Sequence, residues 1–286
     1  MYQDGWYHET SFFNSYTSGY KVKAHLHSER SKYQQIDVYE THAIGRLLTL
    51  DGKTMVSDID EFVYHEVMGH IPFMCSKNPT KALVIGGGDG GVVRELAKHQ
   101  RLERIDLVEI DERVIEVSKT YFPGCTSALS DPRVNVLAKD GTRFLTNIEN
   151  EYDIICIDST DPEDFASGLF TRDFYNSASK ALTSDGIMVA QTENPFLDEY
   201  NIKKIYDNLR SCFKNVQSYW APMLIYPGVF WTFAFASKGV RGDHLNSELT
   251  ADMTRIQRDL KWYNMQWHKS AFALSNFQKK ITGVGL

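Results

Sequence analysis

The segment that decides the fold of this chain is Ala82-Leu-Val-Ile-Gly86-Gly-Gly88-Asp89-Gly-Gly91-Val-Val-Arg-Glu-Leu96. Its apolar start predicts a strand, its glycines a tight turn and its end a helix, which is the order of a nucleotide-binding unit. Such a turn usually offers bare N–H groups and a positive helix end to a phosphate. Asp89 would repel a phosphate. The turn therefore predicts a nucleoside ligand that carries positive charge, such as a sulfonium nucleoside.

Apolar strands alternate with amphipathic helices throughout the chain that follows Pro79. This alternation predicts an α/β fold with a doubly wound parallel sheet of the Rossmann-like type. The predicted strands cover residues 82–85, 104–109, 134–138, 152–157 and 186–191.

The N-terminal region has a different pattern. Between about Tyr20 and Val56, β-forming residues are broken by turn residues, which predicts a small antiparallel β domain. Asp58 and Glu61 have the spacing of a capping box, which predicts a helix that Pro72 ends. We therefore expect an N-terminal β-strand domain in residues 1–56 and a Rossmann-like catalytic domain in residues 57–286.

Length and composition exclude several classes of protein. The chain has 286 residues, is 42% hydrophobic and carries a formal net charge of −6, so it can bury one substantial core and lacks a basic surface for nucleic acid. It has no apolar run of bilayer length and no signal peptide pattern, which predicts a cytoplasmic protein without a membrane partner. The four cysteines are scattered and are expected to be thiols.

Ligands of doubly wound sheets bind beyond the carboxyl ends of the strands. Gly86, Gly88 and Gly91 fit the G-x-G-x-x-G pattern after the first predicted strand. Glu109 ends the second strand, close to the distance expected for the acid that binds ribose hydroxyls. Together these features predict a nucleoside site.

The third and fourth strands also run into acids. Asp140-Gly141 is a common turn pair, but a carboxylate there could accept a hydrogen bond from an adenine amino group. The fourth strand leads into Asp158-Ser-Thr-Asp161, where two carboxylates could hold one cationic substrate or one could act as a base. These residue types also favour helix caps. Their place in the series of strand ends favours a ligand site.

A metal site is not predicted. His65 and His70 superficially suggest a metalloprotease helix, but they are five residues apart, and two histidines must be four apart to share a helix face.

Taken together, these motifs resemble those of the spermidine synthases, the aminopropyltransferases of polyamine synthesis. The resemblance rests on Gly86-Gly-Gly-Asp-Gly-Gly91, on Leu50-Asp-Gly52 with Asp60-Glu-Phe-x-Tyr64-His-Glu66, and on Asp158-Ser-Thr-Asp-Pro162. Further matching segments are residues 31–34, 169–175, 190–193 and 226–227. The match covers nearly the whole chain and weakens beyond about Gly239.

This resemblance implies decarboxylated S-adenosylmethionine as a donor co-substrate, with no separate cofactor. It implies putrescine as the usual acceptor, and spermidine and methylthioadenosine as products. It also implies a β domain on a Rossmann-like domain of the S-adenosylmethionine methyltransferase type, assembled as a homodimer or a dimer of dimers.

The resemblance further implies a role for individual side chains. The residues implied for the donor are Gln34, Gly86, Asp89, Glu109, Asp140, Gly141 and Phe165, with Asp89 on the aminopropyl ammonium. The residues implied for the amine substrate are Tyr64, His65, Asp89, Asp158, Asp161, Gln191 and Tyr226. Asp158 is implied as the catalytic base.

One loop departs from the family pattern. Glu163-Asp164-Phe165-Ala166 replaces a Gly-Pro-Ala type loop, and Phe165 stands where the family has a proline near the nucleoside. The added acids could favour an acceptor such as agmatine or a longer amine, or the loop could be a solvated lid.

Three other functions fit part of the pattern. An amine N-methyltransferase would use intact S-adenosylmethionine, whose extra carboxylate Asp89 would repel, although putrescine N-methyltransferases share the turn. A catalytically silent nucleoside-binding protein would not need several acids that repel one another. A dehydrogenase would place Asp89 against a pyrophosphate.

Overall fold

The computed structural model describes residues 2–11, 15–162 and 164–284, without the side chains of residues 164 and 165. Its N-terminal part is a six-stranded antiparallel sheet whose strands lie side by side in chain order. The strands are β1 (Tyr2–Gln3), β2 (Trp6–Ser11), β3 (Tyr16–Arg30), β4 (Gln35–Thr41), β5 (Arg46–Leu50) and β6 (Lys53–Ser57). The sheet therefore begins before Tyr20, where the sequence pattern had placed its start.

Helix α1 (Glu61–Cys75) connects the two sheets. Its N-cap residue is Asp60, so the capping box predicted at Asp58 is wrong; Asp58 instead accepts a hydrogen bond from Arg46 Nε at 3.0 Å. Pro72 does not end the helix, which continues to Cys75. Pro72 has no N–H to donate to the carbonyl oxygen of Met68, one turn earlier in the helix. The Cys156 thiol donates to this oxygen instead, at 3.4 Å.

The second sheet has seven strands in the order β12-β13-β11-β10-β7-β8-β9. They are β7 (Lys81–Gly86), β8 (Arg104–Glu109), β9 (Val134–Ala138), β10 (Tyr152–Asp158), β11 (Leu182–Gln191), β12 (Asn215–Pro222) and β13 (Phe230–Ser237). Strand β13 is antiparallel to both of its neighbours, whereas β11, β10, β7, β8 and β9 are parallel. This order confirms the predicted Rossmann-like fold of the methyltransferase type. The sequence pattern predicted five of these strands and missed β12 and β13.

The remaining helices cover the two faces of this sheet. They are α2 (Gly91–Ala97), α3 (Glu112–Tyr121), α4 (Gly141–Phe144), α5 (Arg172–Ala181), α6 (Glu199–Cys212), α7 (Thr250–Ile256), α8 (Met265–Ala271) and α9 (Asn276–Thr282). Alternate residues of β7 enter different cores: Ala82 and Val84 pack with α1, and Leu83 and Ile85 pack with α5 and α6. A third core joins α3 to the N-terminal sheet and so places that sheet above the strand ends.

Two further sequence predictions bear on the chain as a whole. All four cysteines are free thiols, as expected. Among the described residues, no helix combines the length and the apolar character that crossing a bilayer requires.

Candidate active site

Two adjoining cavities lie at the carboxyl ends of β7, β8 and β10, below the N-terminal sheet. Including the space that is open to solvent, their volumes are about 1020 Å³ and about 350 Å³. Both are lined by Met55, Tyr64, Ser159, Thr160 and Tyr226. The larger cavity is lined by the glycine turn, by the ends of β8 and β10 and by residues of the N-terminal sheet.

The structure brings nearly all of the predicted site residues to these two cavities. Those that line the larger cavity are Gln34, Tyr64, His65, Gly86, Asp89, Glu109, Asp140, Gly141, Asp158 and Tyr226. Those that line the smaller cavity are Tyr64, Asp161, Gln191 and Tyr226. The side chain of Phe165 lies outside the described part of the chain.

The glycine turn packs closely against the end of β10 and against α1. Gly86 has a φ of +76°, and a Cβ there would lie 2.1 Å from the carbonyl oxygen of Asp158. A Cβ on Gly91 would lie 2.2 Å from the ring of His65. These two glycines therefore let the turn approach the end of β10 and the first turns of α1, which no larger residue allows.

Asp89 forms an ion pair inside this turn. Its Oδ1 accepts a hydrogen bond from the Gly91 N–H at 2.8 Å and lies 3.0 Å from His65 Nε2. The other ring nitrogen of His65 lies 2.6 Å from Glu61 Oε2. Burial disfavours the His65 cation, but Asp89 and Glu61 outweigh it and raise the pKa of His65 to about 10. Burial opposes ionisation of Asp89 as well, yet His65 holds its pKa below the ordinary value.

Asp158 has a different environment. Burial and the neighbouring Asp89 carboxylate raise its pKa to about 7, against the opposing effects of His65 and Tyr64. Its Oδ2 is buried and has no hydrogen-bond partner among the described residues. Buried carboxylate oxygens are nearly always hydrogen-bonded, so this atom points to a group that a ligand would supply.

The opposite wall of the larger cavity is held by contacts between the domains. Glu109 Oε1 accepts a hydrogen bond from the Asp111 N–H at 2.8 Å. Burial raises the pKa of Glu109 to about 7. Gln34 and Ser31, at the start of β4, donate to Asp111 Oδ2 at 3.0 and 2.6 Å. Asp111, which sequence reasoning did not select, therefore positions Gln34 and Glu109 in the wall of the larger cavity.

Asp140 lies at the start of α4, beside the larger cavity. It caps α4, with its Oδ1 accepting from the Thr142 N–H at 2.8 Å, and it also lines the larger cavity. Partial burial raises the pKa of Asp140, but the hydrogen bonds from Thr142 and Arg143 outweigh it and keep this pKa below the usual range. A Cβ on Gly141 would lie 2.3 Å from Ile85, so this position needs a glycine for close packing.

Aromatic side chains form the passage between the cavities. The Tyr226 hydroxyl donates to the Met55 carbonyl oxygen at 3.0 Å. Its ring meets those of Tyr64 and Trp231 at centroid distances of 6.0 and 4.7 Å. The rings of these three residues therefore give the passage an apolar wall.

Acids collect around the smaller cavity. Asp161 lines it, and Glu193 is buried behind Gln191, whose Oε1 accepts from the Glu193 N–H at 3.2 Å. Burial and the nearby Asp161 raise the pKa of Glu193 well above its ordinary value. Glu193 also has a φ of +79°, a left-handed conformation that non-glycine residues rarely adopt and that concentrates at functional sites.

Comparison with known proteins gives this arrangement a family. The model of the spermine/spermidine synthase domain matches residues 61–245, and the model of the spermidine synthase tetramerisation domain matches residues 5–66. The chain belongs to the spermine/spermidine synthase family. The resemblance inferred from the sequence is therefore confirmed.

Relatives in this family match along almost their whole length. Proteins named polyamine aminopropyltransferase from Clostridium perfringens and Alkaliphilus metalliredigens are 42% identical, over 91% of this chain and 92% of theirs. The crystal structure of spermidine synthase from Thermotoga maritima has a TM-score of 0.92 and 37% identity, covering 99% of this chain and 96% of that one. A spermidine synthase structure in complex with the transition-state analogue AdoDATO has a TM-score of 0.94 at the same identity and coverage.

Sequence reasoning missed several residues that line the family's two cavities in this chain. Glu9, Lys53 and Trp231 line the smaller cavity. Glu9 carried a signal, because it occupies an inward position in β2, between buried Tyr7 and buried Ser11. An acid at such a position is unusual unless it is paired, and Thr54 donates its N–H to Glu9 Oε2 at 2.9 Å.

Among the described residues, two groups of side chains lie as close together as metal ligands do. Glu61, His65 and Cys125 form one, and His65, Asp89 and Asp158 the other, with ligand atoms within 4.8 Å. His65 belongs to both groups and is ion-paired through both ring nitrogens. A doubly protonated imidazole has no lone pair for a metal. Ion pairing therefore explains the closeness of these groups.

Proposed function

We propose that this protein transfers the aminopropyl group of decarboxylated S-adenosylmethionine to putrescine, which gives spermidine and methylthioadenosine. The observation that carries the proposal is the Asp158 carboxylate, whose buried Oδ2 has no hydrogen-bond partner among the described residues. Asp158 lines the larger cavity, and the next residue, Ser159, lines both the larger cavity and the smaller, more acidic one. The names and titles of the relatives support the same reaction class.

The donor would bind in the larger cavity. We assign the ribose to Glu109 with Gln34 beside it, and the adenine to Asp140 and Gly141, with Gly86 in the turn. Phe165 is assigned to the donor from the sequence alone. Asp89 would hold the aminopropyl ammonium, because its carboxylate is anionic and lies just before the N-terminus of α2. No hydrogen bond from a described residue reaches its Oδ2, so that oxygen is available to the ligand.

The acceptor would enter through the smaller cavity. Tyr64 and Tyr226 would flank its methylene chain, with His65 nearby. Asp161 and Gln191 would hold the distant ammonium. Asp89 and Asp158 would both face the attacking nitrogen, so that the amine is aligned with the sulfonium carbon.

Asp158 would act as the base. An alkyl ammonium with a pKa of about 10.4 is almost fully protonated at neutral pH and cannot attack carbon. When Asp158 takes the proton, the nitrogen lone pair forms the new C–N bond and the C–S electrons leave with the sulfur. The leaving group is a neutral thioether, so the step needs no general acid.

Lys53 supports putrescine as the acceptor over a longer amine. Among the described residues that line the smaller cavity, Lys53 carries the one basic side chain, and Glu9 and Asp161 are acids. The two ammonium groups of a diamine could each pair with an acid, one at either end of the passage. A third ammonium, as in spermidine, would extend toward Lys53 and be repelled.

The Lys53→Met variant tests this selection. We expect kcat/KM for spermidine to rise about tenfold relative to that for putrescine, since removal of one like-charge contact is worth about 1.4 kcal/mol. Steady-state assays of both acceptors give the ratio. Lys23→Met is the matched control, because Lys23 lies on the same sheet and lines neither cavity. An unchanged ratio in Lys53→Met would show that Lys53 does not select the acceptor.

An acceptor competition tests the proposed function itself. The purified protein receives decarboxylated S-adenosylmethionine with equal amounts of putrescine, cadaverine, agmatine and spermidine, and the products are identified by mass. We expect spermidine as the main product. If the aminopropyl product of agmatine or cadaverine dominated, putrescine would not be the preferred acceptor. The loop at Glu163 would then be the first segment to test for acceptor selection.

The pH dependence follows from Asp158. Its pKa is raised to about 7, and it can accept a proton only when ionised. We therefore expect kcat/KM for the donor, which reports on the free enzyme, to rise with pH and to level off above about 7. The substrate ammonium titrates near 10.4 and stays outside this range. A midpoint below pH 5, near that of an ordinary aspartate at about 3.9, would contradict this role.

We further propose that the protein is a cytoplasmic homodimer or homotetramer that acts without nucleic acid or membrane partners. The match of residues 5–66 to a tetramerisation domain supports an assembly through the N-terminal sheet. That match, and the sheet that ends at Ser57, also support our division into domains of residues 1–56 and 57–286. Light scattering on the purified protein measures the number of subunits.

A further inference from the structure

We infer that Glu61, held by Arg94, is a positioning residue that keeps the His65 ring doubly protonated and directed at Asp89. His65 then balances the charge of Asp89 in the free protein and fixes the carboxylate that meets the donor. The role toward the donor rests on the proposed function, whereas the state of His65 does not.

A chain of short contacts supports this inference. Arg94 Nη1 donates to Glu61 Oε1 at 3.1 Å and Nη2 to Oε2 at 2.8 Å, which is the two-point geometry that fixes a carboxylate in one orientation. Glu61 Oε2 lies 2.6 Å from His65 Nδ1, and His65 Nε2 lies 3.0 Å from Asp89 Oδ1. All four side chains belong to α1, α2 or the glycine turn between β7 and α2.

With both carboxyl groups ionised, the contacts fit one protonation state of the ring. An ionised carboxylate is only a hydrogen-bond acceptor, and a neutral imidazole has a single N–H. A neutral His65 would therefore face one of its two carboxylates with a lone pair, in a position where its side chain is only 3% exposed. Two N–H groups satisfy both contacts, so the imidazolium is the state that fits.

The other charged groups near the ring have opposing effects. Asp158 at the end of β10 and Asp60 at the start of α1 add negative charge. Arg94 adds positive charge beyond Glu61. Burial and nearby Asp89 and Glu61 raise the pKa of the Cys125 thiol, which stays neutral. The charge balance around His65 is thus set by acids, and Glu61, which also lines the larger cavity, is the acid that contacts His65 Nδ1.

The removal of Glu61 has a specific consequence. His65 would keep Asp89 as its partner but lose the second acid, so its proton would be lost at a lower pH. Above that pH, Asp89 and Asp158 would face each other without the cation between them. Donor binding would weaken and the base would become harder to ionise, and both effects reduce activity in alkaline solution.

The wild-type protein provides the first test. The ring nitrogens of His65 are followed by ¹⁵N NMR from pH 6 to pH 9.5, with the signals assigned by their loss in His65→Gln. We expect both nitrogens to stay protonated up to about pH 9, because acids within 4–6 Å shift a pKa by about 1–3 units. An ordinary midpoint near 6.5 would overturn the inference. This measurement needs no turnover.

The Glu61→Gln variant provides the second test. We expect the His65 midpoint to fall by about 1–3 units and kcat/KM for the donor to gain an alkaline limb that wild type lacks. Glu61→Asp, which keeps the charge, should remove that limb. If Glu61→Gln lost activity equally at every pH, with an unchanged pH profile, the role of Glu61 would be structural only.

Glu95→Gln is the matched control. Glu95 is a buried acid that also accepts from Arg94, at 2.7 Å from its Nε, but it faces His70 and not His65. Its variant should lose stability without an alkaline limb. An alkaline limb in this control as well would overturn the assignment to Glu61. Product formation by the wild type tests the proposed reaction separately.

Discussion

Replacing Asp158 by Asn is expected to reduce kcat by about 10²- to 10⁴-fold, which is the contribution of a positioned general base. Asparagine keeps the shape of the side chain but cannot accept the proton of the amine. Affinity for the donor should stay within about threefold of wild type, since the nucleoside wall on β8 and α4 is unchanged. Single-turnover kinetics and calorimetry of donor binding measure the two effects separately.

Asp153→Asn is a matched control on the same strand. Asp153 lies at the opposite end of β10, where its Oδ2 accepts from the N–H groups of Thr80 and Lys81 at 2.8 and 3.0 Å. Its loss should lower the free energy of unfolding by about 1–3 kcal/mol and leave kcat unchanged. If Asp158→Asn bound the donor much more weakly yet turned over normally once saturated with donor, Asp158 would be a binding residue and not the base.

Gly86→Ala is expected to cause the second large loss. The new Cβ would lie 2.1 Å from the Asp158 carbonyl oxygen, so β7 and β10 must separate at the end that carries the base. A displacement of about 1 Å at a reacting group costs about 10²-fold in rate. We expect a loss of that size in kcat, with a stability loss of about 1–3 kcal/mol from crowding and more from the positive φ.

Gly52→Ala separates the two causes of this loss. Gly52 also has a positive φ, of +74°, but nothing lies within 4 Å of a Cβ added there. It should show the conformational cost without the loss of rate. Equal losses of kcat in both variants would indicate that contact with Asp158 is not what Gly86 protects. Denaturant unfolding and steady-state assays on both proteins make the comparison.

The parts of the site that follow directly from a predicted strand could be found from the sequence. Glu109 and Asp158 each end a parallel strand, and the glycine turn and Asp140 closely follow the ends of two others. Parallel strands bring their carboxyl ends to one edge. The apolar strand and the polar residue after it are adjacent in the chain, so local sequence carries the information.

The residues that were missed depend on contacts between distant parts of the chain. Glu9 and Lys53 reach the smaller cavity only because the N-terminal sheet packs on α3, which no local pattern shows. Asp111 caps α3 and also accepts hydrogen bonds from Gln34 and Ser31, which are far from it in sequence. Strands β12 and β13 pair with each other and with β11 near the end of the chain, a pairing that periodicity alone does not specify.

The helix boundary at α1 shows a related limit. Pro72 predicts a helix end because it lacks an N–H, but its effect depends on whether another donor is available to the freed carbonyl. Here the Cys156 thiol, 88 residues away in sequence, fills that place. The sequence could predict the missing hydrogen bond but not its replacement.

A donor competition tests the central claim most directly. The purified protein receives equal amounts of decarboxylated and intact S-adenosylmethionine together with putrescine, and mass spectrometry identifies every product. Aminopropyl transfer assisted by Asp158, with Asp89 on the donor ammonium, predicts spermidine and methylthioadenosine alone. N-methylputrescine with S-adenosylhomocysteine would contradict it.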